Sequence, residues 1–470
     1  MGFGLWAPAI TVVIAVTVGL VGFVLLKDGE LPTLQENQFW GPASRKAAGK
    51  EDKSIRSFQI NISEKVVTDL KTRLKLEIAS VDERVADPLD GVAFQWGVHK
   101  KFLKKVQDYW LNKYDWRARE TLLNKYPNFK TTISGLEIHF QHVKPQKKGK
   151  KGTRALLLLH GWPGSFVEYQ KLIPQLVEPK DSEINFELVI PSLPGFGFSE
   201  ASSRAGLGPP EIAQIMRTLM LRLGHQKFYV QGGDWGSMIA GDMATIYKDN
   251  ILGAHMSMCF SFHPRSILKF GAALALPQFL LDDDDRAQFS PLMRVITNHI
   301  RETGYLHLQA TKSDTLGIAL SYSPSGLASY ILEKFSFWTD ENSLAKEDGG
   351  ILKTFDLDTL LDNVMIHWVG KSSTTFLRIY AETLNPLTST QLSLDSVPTS
   401  VPVSCRNYPK ELLAQPRFAL TDKFQNLVRF TRAKTGGHFS ALEVPTDLAA
   451  DIVTSLNLID VSYRIDIDVD

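Results

Sequence analysis

The sequence predicts an α/β fold: a mainly parallel sheet with helices on both faces, split by one long helical insertion. Three observations predict it. Residues 155–159, 186–190 and 228–231 are continuous apolar runs, the mark of strands buried on both faces. Helical segments separate these runs, and strand alternating with helix is the pattern of a parallel sheet. After His263 the pattern turns helical and stays so to about Thr390, where strand-like sequence returns at 397–403 and 427–431.

The elements follow in order. From Leu5 to Leu26 no residue is charged. As a helix this stretch is about 33 Å long, enough to cross a hydrocarbon core. Pro8 lies near its start, where a helix tolerates proline. Met1 to Leu5 contains no Lys or Arg, so residues 1–27 read as an uncleaved membrane anchor rather than a cleaved leader. The partner expected for residues 5–26 is a lipid bilayer. Lys27, Arg45 and Lys46 follow within the window where basic residues set orientation, which places the remainder on the cytosolic side.

Residues 28–130 are expected to be a polar linker and a helical segment packed on the core. Ser63 reads as an N-cap, with Val66, Val67, Leu70 and Leu74 at helical spacing. An aromatic-rich helical stretch, 94–125, includes Tyr109, Trp110 and Trp116. The first part of the core spans 131–265. Residues 136–143 alternate apolar and polar, as a half-buried strand does. Lys147, Lys148, Lys150 and Lys151 then read as a solvated hairpin turn. The helical lid spans 266–390. Asp282 to Asp285 lack the alternating oxygen ligands and turn glycine of a calcium loop, and read as a solvated loop. The second part of the core, 391–470, closes with a helix near 445–456.

Composition excludes several classes. The 470 residues are 44% hydrophobic and 22% charged, ordinary for a globular chain and sufficient for a core without staples. The formal net charge of +1 gives no electrostatic case for nucleic acid. Cys259 and Cys405 suit neither a metal cluster nor a disulfide framework, so two reduced or buried thiols are expected. No repeat at solenoid or propeller periods is visible.

The chemistry concentrates in three short motifs. Gln231-Gly232-Gly233-Asp234-Trp235-Gly236 follows a buried strand and opens a helix. That is the context of a nucleophile elbow, with Asp234 where the nucleophile stands and glycines for the sharp turn. The plainer reading is a strand-to-helix turn with Asp234 as an N-cap. His160-Gly161-Trp162-Pro163-Gly164-Ser165 also follows a buried strand. In the α/β-hydrolase fold such a loop gives one backbone N–H to an oxyanion hole, and the residue after the nucleophile gives the other. Those are Trp162 and Trp235; His160 reads as a loop-fixing residue. Thr435-Gly436-Gly437-His438-Phe439 supplies the downstream histidine base, in the chain order nucleophile, acid, histidine. Between the lid and His438, Glu411 fits the acid best, and spacing leaves Asp422 and Asp395 open.

With these motifs the chain resembles the microsomal epoxide hydrolases, and among them the insect juvenile hormone epoxide hydrolases, over nearly its whole length. Residues 194–199, 232–237, 323–328, 330–335 and 436–439 carry the likeness beside the 160–165 loop. The resemblance implies a cis bond before Pro163, Glu411 as the acid, and two lid tyrosines above the nucleophile, Tyr305 and Tyr380. Tyr322 and Tyr330 are the other lid tyrosines near these motifs. The resemblance further implies hydrolysis of an apolar epoxide, a juvenile hormone or an aromatic epoxide, to a diol. Water would be the second reactant, no metal or organic cofactor would be needed, and the location would be the endoplasmic reticulum membrane.

An ionised carboxylate needs no base to attack carbon, and a tyrosine can donate a proton to the opening oxygen. His438, oriented by Glu411, would then activate water against the ester on Asp234. Two other functions fit parts of the pattern: a haloalkane dehalogenase, with Trp235 binding halide, and a non-catalytic lipid or hormone carrier. The acidic tail after Leu456 has no assigned role.

Overall fold

The computed structural model describes residues 27–35, 38–47, 51–180, 182–385 and 389–469. The expected anchor, residues 5–26, lies outside the described residues. Among those described, no helix is long and apolar enough to cross a membrane.

One nine-stranded sheet organises the chain. Its strands are β1 (Arg56–Phe58), β2 (Asn128–Ile133), β3 (Leu136–Val143), β4 (Thr153–Leu159), β5 (Asn185–Pro191), β6 (Phe228–Gly232), β7 (Ile251–Met256), β8 (Val403–Asn407) and β9 (Leu427–Arg432), in the spatial order β1-β2-β3-β5-β4-β6-β7-β8-β9. β1, β2, β3 and β5 pair antiparallel in succession, and β5 through β9 is parallel throughout. The three apolar runs are the central strands β4, β5 and β6. Leu156 to Leu159 are 0% exposed, and each such side chain contributes about 1.5–3 kcal/mol by leaving water.

Between β1 and β2 come α1 (Glu64–Arg84), α2 (Lys100–Asn112) and α3 (Trp116–Leu123). The stretch expected as one helical run at 94–125 is two helices, parted where Asp115 caps the second through the Arg117 and Ala118 amides. Between the core strands lie α4 (Pro209–Arg222) and α5 (Trp235–Ile246). The long insertion between β7 and β8 holds α6 (Pro264–Ala275), α7 (Leu292–Glu302), α8 (Gly304–Tyr322), α9 (Pro324–Phe337), α10 (Leu357–Val369) and α11 (Arg378–Leu384). Most of it packs into the main core, but Ala273, Leu281, Phe289 and Ala414 form a small cluster of their own under α6.

Four expectations are corrected. The strand expected at 397–403 starts only at Val403, because Pro398 and Pro402 have no N–H to give a ladder. Lys147 to Lys151 do not close a hairpin: β5 lies between β3 and β4. Asp282 to Asp285 begin a short helix, Asp283–Phe289, where acidic residues favour the positive end of the dipole, and Asp282 and Asp285 pair with Arg432. Finally, Cys259 and Cys405 are joined as a disulfide. Their sequence separation of 146 hides a neighbourhood created by the parallel pairing of β7 with β8.

The final helix α12 (Pro445–Val469) runs further than the sequence suggested.

Candidate active site

The site lies beyond the carboxyl ends of β4, β6, β8 and β9, where open parallel sheets bind ligands. Asp234 follows β6 after Gly233 and directly precedes α5. Its φ of 52° and ψ of −128° put a non-glycine residue in a left-handed conformation, strain of about 1–3 kcal/mol that the surrounding structure sustains. The turn is possible because its neighbours have no side chains: a Cβ on Gly236 would strike the Leu159 carbonyl, and one on Gly161 would strike the Asp234 carboxylate. Asp234 is thus more than an N-cap, since its side chain makes no cap hydrogen bond.

Each oxygen of Asp234 has a different neighbour. Oδ1 accepts a hydrogen bond from the Trp162 N–H at 2.7 Å. Oδ2 lies 3.4 Å from His438 Nε2. Trp235 is the first residue of α5, so its N–H belongs to the turn of donors that a helix leaves unsatisfied. The 160–165 loop is held from above. Asn363 Nδ2 donates to the Pro163 carbonyl at 2.8 Å, and Ser165 Oγ to Asn363 Oδ1 at 2.7 Å. His367 Nε2 lies 3.1 Å from the Gly164 carbonyl. The Trp162–Pro163 bond is cis. His160 stays in the loop: its Nε2 accepts from the Leu193 N–H at 3.1 Å, and burial lowers its pKa to about 4.

His438 Nδ1 meets Glu411 Oε1 at 2.7 Å, and both side chains are nearly sealed from solvent. Their loops are paired through the Lys410–Gly437 bridge, with the Lys410 N–H donating to the Gly436 carbonyl at 3.3 Å. Glu411 Oε1 also accepts from the Leu412 N–H at 2.6 Å. Burial disfavours the imidazolium, yet the charge of Glu411 and the bond to Asp234 outweigh it, and His438 holds its proton well above the ordinary histidine range. The rival acids are engaged elsewhere. Asp422 pairs with Lys269 at 2.7 Å, and Asp395 accepts from Gln391 at 2.9 Å.

Tyr305, on α8, and Tyr380, on α11, are buried over Asp234. Tyr305 stacks on Trp162 with ring centres 5.1 Å apart, and Tyr380 meets Trp235 edge-on at 4.7 Å. Burial raises both phenol pKa values far above 10, with the Asp234 charge adding to the rise. Tyr330 is set back, accepting from Gln309 at 3.2 Å, and Tyr322 is exposed. Beneath the tyrosines an apolar pocket of about 160 Å³ is lined by Asp234, Trp235, Met238, Met258, Phe260, Phe262, Leu306 and Leu384. A carboxylate, a histidine–acid pair and two phenols around an apolar pocket suit attack on an electrophilic carbon whose leaving oxygen needs a proton.

Comparison with known proteins points the same way. Residues 55–169 match the family model described as epoxide hydrolase N terminus, and residues 154–365 match the alpha/beta hydrolase fold. Juvenile hormone epoxide hydrolase 1 of Ctenocephalides felis is 42% identical over 93% of each chain. Epoxide hydrolase 1 of Sus scrofa is 40% identical over 94% of this chain and 98% of its own. The chain belongs to the epoxide hydrolase family. The crystal structure of juvenile hormone epoxide hydrolase from Bombyx mori superposes with a TM-score of 0.86 at 39% identity, covering 91% of this chain and 99% of that one.

Several site residues of this epoxide hydrolase escaped the sequence reading. Trp338 accepts the His438 N–H on its carbonyl at 3.0 Å and packs its ring on the imidazole at 4.8 Å. Asn363, His367 and Glu168 also belong to the site's surroundings. A polar pair four apart on an apolar helix was the only sign of Asn363 and His367. One trio with metal-ligand chemistry stands among the described residues: His142, Glu187 and His225. It lies toward the opposite end of the sheet, with Lys144 already 3.3 Å from Glu187.

Proposed function

We propose that this epoxide hydrolase opens apolar epoxides in two covalent steps. An Asp234 carboxylate oxygen attacks a ring carbon, the carbon–oxygen bond breaks, and Tyr305 or Tyr380 gives its proton to the released oxygen. The product is a hydroxyalkyl ester. Forming it consumes the Asp234 charge, so the Coulombic hold on the tyrosine and His438 protons weakens together. The tyrosine becomes a better acid as the proton is needed. His438 can then pass its own proton to the tyrosinate and stand as a free base.

In the second step water gives one proton to His438 Nε2 and its oxygen adds to the Asp234 carboxyl carbon. The Trp162 and Trp235 amides stabilise the oxyanion. Collapse returns the second water proton to the leaving alkoxide, releases the diol and restores the Asp234 carboxylate beside protonated His438. Glu411 fixes the imidazole throughout. The observation that supports this above all is the placement of His438 between two carboxylates, 2.7 Å from Glu411 and 3.4 Å from Asp234.

The substrate class proposed is an apolar epoxide of the juvenile hormone type, in keeping with the pocket lining and with the names of the insect relatives. Residues 1–27 are proposed to anchor the enzyme in the endoplasmic reticulum membrane, where such substrates concentrate. The remaining boundaries proposed are a helical segment to 130, a core divided at 265 and 391, and a lid between them.

A single turnover in ¹⁸O water decides the mechanism: the label is expected in Asp234, and first-turnover diol carrying the label would end the covalent reading. Parallel diol assays on a juvenile hormone and an aromatic epoxide decide the substrate. Orientation has its own test. Basic residues after the anchor favour the cytosolic side, whereas a Cys259–Cys405 disulfide is of a kind that persists in oxidising compartments. Protease protection in sealed microsomes is expected to be absent, and protection would place the domain in the lumen.

A further inference from the structure

Asp234 borders two cavities, and no other residue lines both. One is the apolar pocket already described. The other lies behind the nucleophile. It has a volume of about 20 Å³, room for one water molecule, and its lining includes Glu168, Asp234, His438, Gly161, Gly233 and Ser257. We propose that this chamber holds the hydrolytic water and that Glu168 is a positioning residue for it, accepting the second O–H while His438 takes the first. The inference rests on the covalent reading above and adds to it the group that aims the water.

The position of Glu168 is built, not incidental. It sits in a short 3₁₀ turn, Phe166–Lys171, that Ser165 caps through the Val167 N–H. The neighbouring Tyr169 hydroxyl donates to the Leu159 carbonyl at 2.7 Å, tying the turn to the end of β4. Gly164 makes room: a Cβ there would collide with the Glu168 carboxyl. Burial lifts the Glu168 pKa to about 8, with His438 opposing and Asp234 adding to the rise. At neutral pH the group is therefore mostly a neutral carboxyl. Its carbonyl oxygen can accept from water, and it sets no third negative charge against the oxyanion that forms on Asp234. No step of ring opening uses Glu168, which leaves this acid otherwise unexplained beside the nucleophile.

Rapid mixing of the full chain in phospholipid vesicles with an apolar epoxide separates the two steps. Covalent adduct is followed by mass and its decay by diol release. In Glu168→Ala, ester formation is expected within about twofold of wild type. Ester hydrolysis should be slower by about 10²-fold, the scale of a misplaced reactant. Glu168→Gln keeps a carbonyl acceptor and is expected to restore hydrolysis to within about fivefold. Unchanged hydrolysis in Glu168→Ala overturns the proposal. So does a parallel fall of both steps that Glu168→Gln fails to rescue, which is the mark of a merely structural role. Failure of the underlying reading looks different: no adduct forms in wild type or in His438→Gln.

Discussion

The two halves of the site are held in contrasting ways. Asp234, His438 and Glu411 stand on loops that follow β6, β9 and β8, and main-chain contacts fix them: the elbow at φ 52°, the Lys410–Gly437 bridge, the Trp338 carbonyl on the His438 N–H. Tyr305 and Tyr380 stand on helices of the insertion and are fixed by aromatic packing against Trp162, Trp235 and each other. Backbone bonds have narrow geometry; stacked rings tolerate displacement. The sheet side therefore suits bond formation at one atom, and the lid side suits delivery of a proton to oxygens of differing position.

That contrast can be broken by substitution. The largest effect is expected for His438→Gln: the ester should form and accumulate, with hydrolysis slowed at least about 10³-fold by loss of the base. An absent adduct under rapid mixing would remove His438 from the second step. Tyr305→Phe and Tyr380→Phe should each slow ring opening by about 10²–10³-fold, by analogy with loss of one oxyanion donor, while leaving ester hydrolysis near wild type. A tyrosine whose removal leaves ring opening unchanged is packing only.

The third test is electrostatic. Asp234 helps raise the His438 pKa in the folded protein, so Asp234→Asn should lower it, and NMR titration of the ring reads the shift. The linkage has a definite sign. A raised histidine pKa gives stability that is full below the unfolded value near 6.5 and is lost as pH rises through the folded value. In Asp234→Asn that contribution should be smaller and should be exhausted at lower pH. The smallest effect is expected for Tyr330→Phe, within about twofold on both steps, because its hydroxyl is engaged by Gln309.

The same contrast explains what could be read from residues alone. The elbow and the 160–165 loop announce themselves because close backbone approach demands glycine, and the demand leaves a mark in the sequence. Glu411 was the best of three acids by spacing, and only the pairing of its loop with that of His438 separates it from Asp422 and Asp395. The lid tyrosines came from resemblance alone, since an aromatic residue on an apolar helix looks the same whether it packs or donates. Glu168 and Trp338 left no mark, because their proximity to His438 exists only after distant segments meet. Cys259 and Cys405 were misjudged for the same reason. The strand at β8 was placed too early because apolar content was weighed above the missing amides of Pro398 and Pro402.

The insertion is stitched to the core along both flanks. Ser372 Oγ accepts from the Gly197 N–H at 3.1 Å, and Thr375 Oγ1 donates to the Gly195 carbonyl at 2.6 Å, just before the helix that carries Tyr380. On the opposite flank Lys269 pairs with Asp422, and Asp282 and Asp285 pair with Arg432, while the exposed side chains of Phe262, Leu384 and Leu392 mark the rim of the apolar pocket. A cover fastened along two margins behaves as a fixed roof rather than a flap. An oily molecule would then enter past its apolar eave, with Tyr305 and Tyr380 already in place above Asp234.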